Sequence, residues 1–153
     1  MENCFVCQRI QRIKEGTNPY FVAELETGYV VIGDFQYFKG YTVFISKEHK
    51  TELHQLEPER RILFLKEMSL VAEAVFHAFK PQKMNYELLG NTDTHMHWHL
   101  FPRYREDLVS GGPIWLVDAK IRSSESARPS EQELASLKKE LFFQLKKMDV
   151  MMM

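Results

Sequence analysis

The segment Thr94-His95-Met96-His97-Trp98-His99-Leu100-Phe101-Pro102-Arg103 holds three of the six histidines of a 153-residue chain at alternate positions. Alternate side chains of a strand share a face, so His95, His97 and His99 fall on one side and Met96, Trp98 and Leu100 on the other. Neighbouring imidazoles then stand about 7 Å apart, near enough to share one phosphate-sized ligand. An amphipathic strand needs only something hydrophilic on its wet face, which threonine or lysine would supply. Three successive histidines instead offer ligands, bases or nucleophiles that work near neutral pH. A three-histidine zinc site fits less well, because the third ring lies too far along the line to close a tetrahedron. A second pair, Cys4-x-x-Cys7, reads either as a metal or redox pair or as two small residues packing an N-terminal turn.

These residues need elements to position them. Tyr20 to Asp34 alternates apolar and polar residues around Glu26-Thr27-Gly28, the pattern of a hairpin. Gly40 to Ser46 is rich in β-branched and aromatic residues and reads as another strand, joined to the hairpin through Phe35 to Lys39. Pro58 opens a long helix whose apolar positions recur every third or fourth residue until Pro81. Strands resume at Met84 to Leu89, break at Gly90-Asn91 and continue from Thr94 to Pro102. After Arg103 come Gly111-Gly112-Pro113, the apolar Ile114 to Val117, and a serine-rich linker at Ser123 to Pro129. Ser130-x-x-Glu133 is a capping box for a last helix ending near Met148, with Leu134, Leu137, Leu141 and Leu145 on one stripe. His77 reads as a helix-surface residue and His54 as an exposed loop residue.

With 44% hydrophobic residues the sequence fits one core. Lys plus Arg (20) nearly balances Asp plus Glu (21), leaving a net charge of -1 and no basic stripe of the kind that neutralises a nucleic-acid backbone. No run approaches the roughly 20 apolar residues of a membrane span, and the N-terminus lacks the apolar core of a signal peptide. A cytoplasmic protein with neither nucleic acid nor membrane as partner is expected.

His-x-His-x-His with its flanking Leu89-Gly90-Asn91 and Phe101-Pro102-Arg103 resembles the signature of the histidine triad (HIT) family. Upstream, Asp34 and Gly40-Tyr41-Thr42-Val43-Phe44-Ile45-Ser46-Lys47-Glu48-His49 resemble the family's aspartate, glycine-led strand and Lys-x-His segment, and Cys4-x-x-Cys7 resembles an N-terminal pair of many members. The resemblance runs from Cys4 to about Trp115 and is similar to the diadenosine tetraphosphate (Ap4A) hydrolase-like branch. It implies an α+β fold with an antiparallel sheet of about five strands, one long helix and a C-terminal helix, paired as a homodimer. Residues 1–118 are then a HIT-like nucleotide-binding domain, and 119–153 the linker and C-terminal helix of the same domain.

For function, the resemblance implies a hydrolase that cleaves a dinucleoside polyphosphate or nucleotide phosphoramidate at the α-phosphate through a covalent nucleotidyl-histidine. A phosphorylase or nucleotidyltransferase, and a nucleotide-binding interaction protein with little turnover, are the alternatives. His97 would be the nucleophile, its other ring nitrogen donating to a backbone carbonyl. His99 would contact the phosphate oxygens and His95 would order the site from the other side. Asn91 and Thr92 would face the phosphate, Asp34 the ribose hydroxyls, and Phe35 with Ile32 the base. Asp93 puts a negative charge close to where a polyphosphate would lie. Tyr41, where a histidine is common in the family, reads as a packing change, and Trp115 as a buried core residue or as a contributor to a neighbouring subunit's site. Cys4, Cys7, His49 and His95 match positions that bind zinc in some members, a closed shell of structural type. No organic cofactor is implied.

Overall fold

A computed structural model describes residues 3–152. Helix α1 (Phe5–Lys14) leads into strands β1 (Phe21–Glu24), β2 (Gly28–Ile32) and β3 (Thr42–Ser46), then the long helix α2 (Pro58–Phe79). Strands β4 (Lys83–Glu87) and β5 (His97–Arg103) follow, then the short helix α3 (Ala119–Arg122) and α4 (Glu131–Lys147). The five strands form one antiparallel sheet in the order β1-β2-β3-β5-β4, giving the expected α+β fold.

Each face of the sheet takes one half of the alternation. Val30, Ile32, Phe44 and Leu100 join Phe64, Val71 and Val75 of α2 and Leu137, Leu141 and Leu145 of α4 in the main core. Met96 and Trp98 pack into the same cluster, on the side the alternation assigns them. Tyr29, Val31, Val43 and Ile45 point the other way, where Val6, Ile10 and Ile13 of α1 cover only part of the sheet. The rest of that face, over β3, β5 and β4, remains open for a site.

Helix α4 starts at the capping box, Ser130 accepting from the Glu133 amide and Glu133 from the Ser130 amide. The β1–β2 turn is held from below by Glu67 of α2. Its buried carboxylate accepts from the amides of Glu26 and Thr27 and from the Thr27 hydroxyl, which satisfies groups a buried turn would otherwise leave bare.

Three differences from the sequence expectations matter for the site. Helix α1 was not anticipated; it is capped by Cys4, whose sulfur accepts from the Cys7 amide. The break between β4 and β5 is nine residues long, 88–96, so His95 precedes its strand instead of lying on it. The serine-rich segment is not a free linker: Ala127 accepts from the Gln36 amide (2.6 Å), and Arg128 lies 4.5 Å over the Phe35 ring. Among the described residues no helix is long and apolar enough to cross a membrane.

Candidate functional site

On the open face lies a cavity of about 310 Å³, at the small end of ligand pockets, which run roughly 300–1,000 Å³. His97 and His99 of β5 form its floor, with Val43 and Ile45 of β3 beside them and Glu87 and Leu89 beyond. Asp34, Phe35 and Arg9 stand at the β2 side, and Ile114, Trp115 and Arg122 come from the segment after β5.

The two floor histidines are held in opposite tautomers. Nδ1 of His97 lies 2.7 Å from the His95 carbonyl oxygen, so it must carry the proton, leaving the Nε2 lone pair free. Nδ1 of His99 lies 2.6 Å from the Tyr41 hydroxyl. Burial, reinforced by the Asp34 carboxylate, pushes the Tyr41 phenol well above its ordinary range, so the hydroxyl keeps its proton and donates it. His99 therefore accepts at Nδ1 and carries its own proton on Nε2. Burial, and secondarily the neighbouring His97, lowers the His99 pKa from 6.5 to about 4, which keeps the ring neutral. With ring centroids 4.7 Å apart, closer than the strand repeat suggests, the pair offers one lone pair and one N–H donor to the same small volume.

Tyr41 is thus more than the packing change its position suggested. Its ring stacks on Phe101 (centroids 4.2 Å apart, interplanar angle 8°) and lies over Gly33, where an added Cβ would fall 2.1 Å from a ring atom. Gly40, just before it, takes φ +89, a backbone state that favours glycine.

His95 does not face this cavity. Its ring is 1% exposed and turns toward Cys4, Cys7 and His49, so its ring does not order the ligand from the other side as expected; its carbonyl orients His97 instead. The potential ligand atoms of these four residues all lie within 4.8 Å of one another. Cys7 Sγ is 3.1 Å from His49 Nδ1 and 3.4 Å from His95 Nδ1, and Cys4 Sγ is 3.7 Å from the latter. A tetrahedral zinc, with bonds of about 2.3 Å to sulfur and 2.0–2.1 Å to nitrogen, needs ligand atoms roughly 3.3–3.8 Å apart; the three sulfur–nitrogen contacts lie near that range, and the widest separation, up to 4.8 Å, closes by about 1 Å on binding. Nε2 of His95 lies 2.7 Å from the Ser46 carbonyl, which fixes the proton there and aims the Nδ1 lone pair at the cluster. The loop 46–50 is brought to His95 by two backbone bonds, Ser46 N–H to Met96 O and Met96 N–H to Lys50 O.

The remaining expected residues divide. Asp34 lines the cavity with its carboxylate paired to Arg9, and Phe35 lines it with Arg128 on the ring. Ile32 is fully buried in the main core on the opposite face, so it walls no ligand. Asn91 and Thr92 are exposed and do not line the cavity; the turn after Gly90 carries them outward and Asp93 inward. Trp115 is 53% exposed at the cavity rim, not a core residue. Arg103 serves the loop after β5, donating to Asp107, Asn85, Gly112 O and Val109 O.

Sequence reasoning missed Arg9, Glu87 and Arg122 as cavity residues. Arg9 was findable, one helical turn from Val6 on the covering face of α1. Glu87 was findable too, as the only acid in a short strand that continues into Leu88-Leu89. Arg122 gives no sequence signal.

A family model described as the HIT domain matches residues 18–106. Among solved structures, a histidine triad protein from Marinobacter aquaeolei superposes with a TM-score of 0.68 at 24% identity, over 83% of this chain and 88% of its own. A hypothetical histidine triad nucleotide-binding protein from Sulfolobus tokodaii gives 0.71 at 19% identity over 94% of both chains. A zinc-bound histidine triad family protein from Mycobacterium smegmatis gives 0.63 at 20% identity, over 97% of this chain and 96% of its own. No curated protein matched the sequence.

Proposed function

Because the chain belongs to the HIT domain family, we propose that it is a nucleotide hydrolase whose His97 attacks the α-phosphate of an adenine nucleotide. What supports this most directly is the His97 ring. Its Nδ1 is committed to the His95 carbonyl at 2.7 Å, so Nε2 is the nitrogen left to the cavity, with its lone pair intact.

In the first step Nε2 of His97 forms a bond to phosphorus as the bond from phosphorus to the leaving group breaks, its electron pair departing with that group, which as an amine takes up a proton from solvent. The imidazole becomes cationic while Nδ1–H stays on the His95 carbonyl, an acceptor well suited to the added charge. Nε2–H of His99 donates to a non-bridging oxygen of the same phosphoryl group, where charge builds up. In the second step water forms the new P–O bond and gives up a proton to solvent. The N–P bond breaks with its pair returning to Nε2, and a nucleoside monophosphate is released. Asp34 would meet the ribose hydroxyls with the lone pairs that Arg9 leaves, and Phe35, stiffened by Arg128, would carry the base. Asn91 and Thr92 keep a phosphate role only if their turn folds inward on binding.

Cys4, Cys7, His49 and His95 would hold a structural zinc, which would tie α1 to the base of the triad strand. Residues 119–153 belong to the same domain in this proposal, since Leu137, Leu141 and Leu145 complete the main core. A homodimer is included, with exposed Trp115 and Leu116 as apolar surface for a second copy.

The test is to quench a reaction with labelled adenine nucleotide in the first turnovers, digest, and map the label by mass spectrometry. A nucleotidyl group on His97 is expected, and His97→Ala should lose it with nearly all turnover. Turnover undiminished in His97→Ala would overturn the proposal.

A further inference from the structure

Glu87 is an anomaly in the cavity. Its side chain is 9% exposed, it lines the cavity, and its Oε2 has no hydrogen-bond partner among the described residues. A buried acceptor left bare is costly unless a ligand completes it.

The two nearby cations do not close it. Arg103 spends its guanidinium on Asp107, Asn85 and two loop carbonyls, and Arg122 donates from Nε to Val117 O. Neither makes an ion pair with Glu87, although both oppose the upward pull that burial exerts on its pKa.

The sheet says where this oxygen sits relative to the chemistry. Glu87 is paired directly with His99 across β4 and β5, so both side chains stand on one face with Cβ atoms about 4.5–5.5 Å apart. Strand order β2-β3-β5-β4 puts Asp34 and Phe35 on one side of the histidines and Glu87 and Leu89 on the other. In-line attack sends the leaving group away from the His97 ring, and with the nucleoside on the first side, as proposed above, the room left for that group's substituents lies toward β4 and Glu87.

A pyrophosphate chain brings only acceptors to this place. An ionised Glu87 repels it, as does Asp93 nearby, and a protonated Glu87 can give it one O–H but keeps a bare carbonyl oxygen. An N–H on the leaving group satisfies the orphan in either state.

We propose that Glu87 is a specificity-determining residue whose unpartnered oxygen accepts a hydrogen bond from an N–H on the leaving group, selecting amine-type leaving groups over all-acceptor phosphate chains. This rests on the hydrolase reading of the site. The test compares wild type, Glu87→Gln and Glu87→Met on two adenylates, an N-alkyl phosphoramidate and a p-nitrophenyl ester that has no donor. Glu87→Met should lower kcat/KM for the phosphoramidate about tenfold or more, and Glu87→Gln, which keeps an acceptor, should lose under about threefold. The ester should change by less than about threefold in both. Glu87→Met should also melt no lower than wild type, since it removes a buried orphan. A parallel loss on both substrates, no loss on either, or a lower melting temperature would each overturn the assignment of Glu87 while leaving the His97 chemistry intact. Failure of wild type to turn over either adenylate would instead sink the hydrolase reading and this proposal with it.

Discussion

Replacing Tyr41 with phenylalanine removes one oxygen and keeps nearly everything else. The ring can still stack on Phe101 and lie over Gly33, so the packing term is conserved. What disappears is the 2.6 Å bond to His99 Nδ1, leaving a largely buried acceptor without a partner. Such a loss costs about 1–3 kcal/mol, or roughly 5- to 150-fold in an equilibrium constant. Part of that falls on folding stability and part on the tautomer that presents Nε2–H to the phosphoryl oxygen. Tyr41→Phe should therefore lose part of this, about 1–2 kcal/mol, in denaturant melts. Its kcat should fall about tenfold with KM changed little, because the His99 contact strengthens as charge develops. Ring 15N shifts report the tautomer directly: wild-type His99 should show a protonated Nε2, and the variant a mixture. A variant with wild-type stability, wild-type kcat and an unmoved His99 spectrum would refute the positioning role of the phenol.

Two further outcomes follow from the same geometry. His99 has a folded pKa of about 4 against 6.5 when unfolded, so below pH 6.5 the unfolded chain takes up a proton that the folded one refuses. The stability this contributes is complete above pH 6.5 and about 3 kcal/mol is lost as pH falls to 4, while Glu87, with its pKa raised, gives an opposite slope above its ordinary 4.5. A His99 ring resonance titrating near 6.5 would contradict the burial argument. For the metal cluster, protein purified without a histidine tag should carry close to one zinc per chain, and a chelator should lower its melting temperature. Zinc below about a tenth of an equivalent would end the assignment.

The fold was legible where local chemistry and global packing agree. Pro58 and the 3.6-residue repeat define α2, Ser130 and Glu133 define the start of α4, and the alternation of Met96, Trp98 and Leu100 identifies the face that packs. Legibility failed where partners come from far along the chain. Nothing local distinguishes Tyr41 as a donor to a residue 58 positions away, and nothing in Asn91 or Thr92 shows that the turn after Gly90 faces outward. Helix α1 is faint in the sequence because its buried apolar residues, Val6, Ile10 and Ile13, are spaced among charged and polar ones. That spacing is the amphipathic signal itself, but over ten residues it makes only a narrow stripe. Period two puts His95 on the ligand face, but β5 begins only at His97; before it the backbone has bent, and the ring turns to the cysteine cluster that the family resemblance also implies for it.

His95 attaches two neighbouring centres through different atoms, the cysteine cluster through its imidazole and the nucleophile through its main-chain oxygen. Every amino acid brings that oxygen, so mutation can strip the cluster of a ligand without deleting the group that orients His97. The two duties are separable by genetics even though they share an α-carbon. In a lineage that discards the cysteines, residue 95 would be free to drift, and the orientation of the reactive ring would then depend on how firmly the loop 46–50 alone pins the chain.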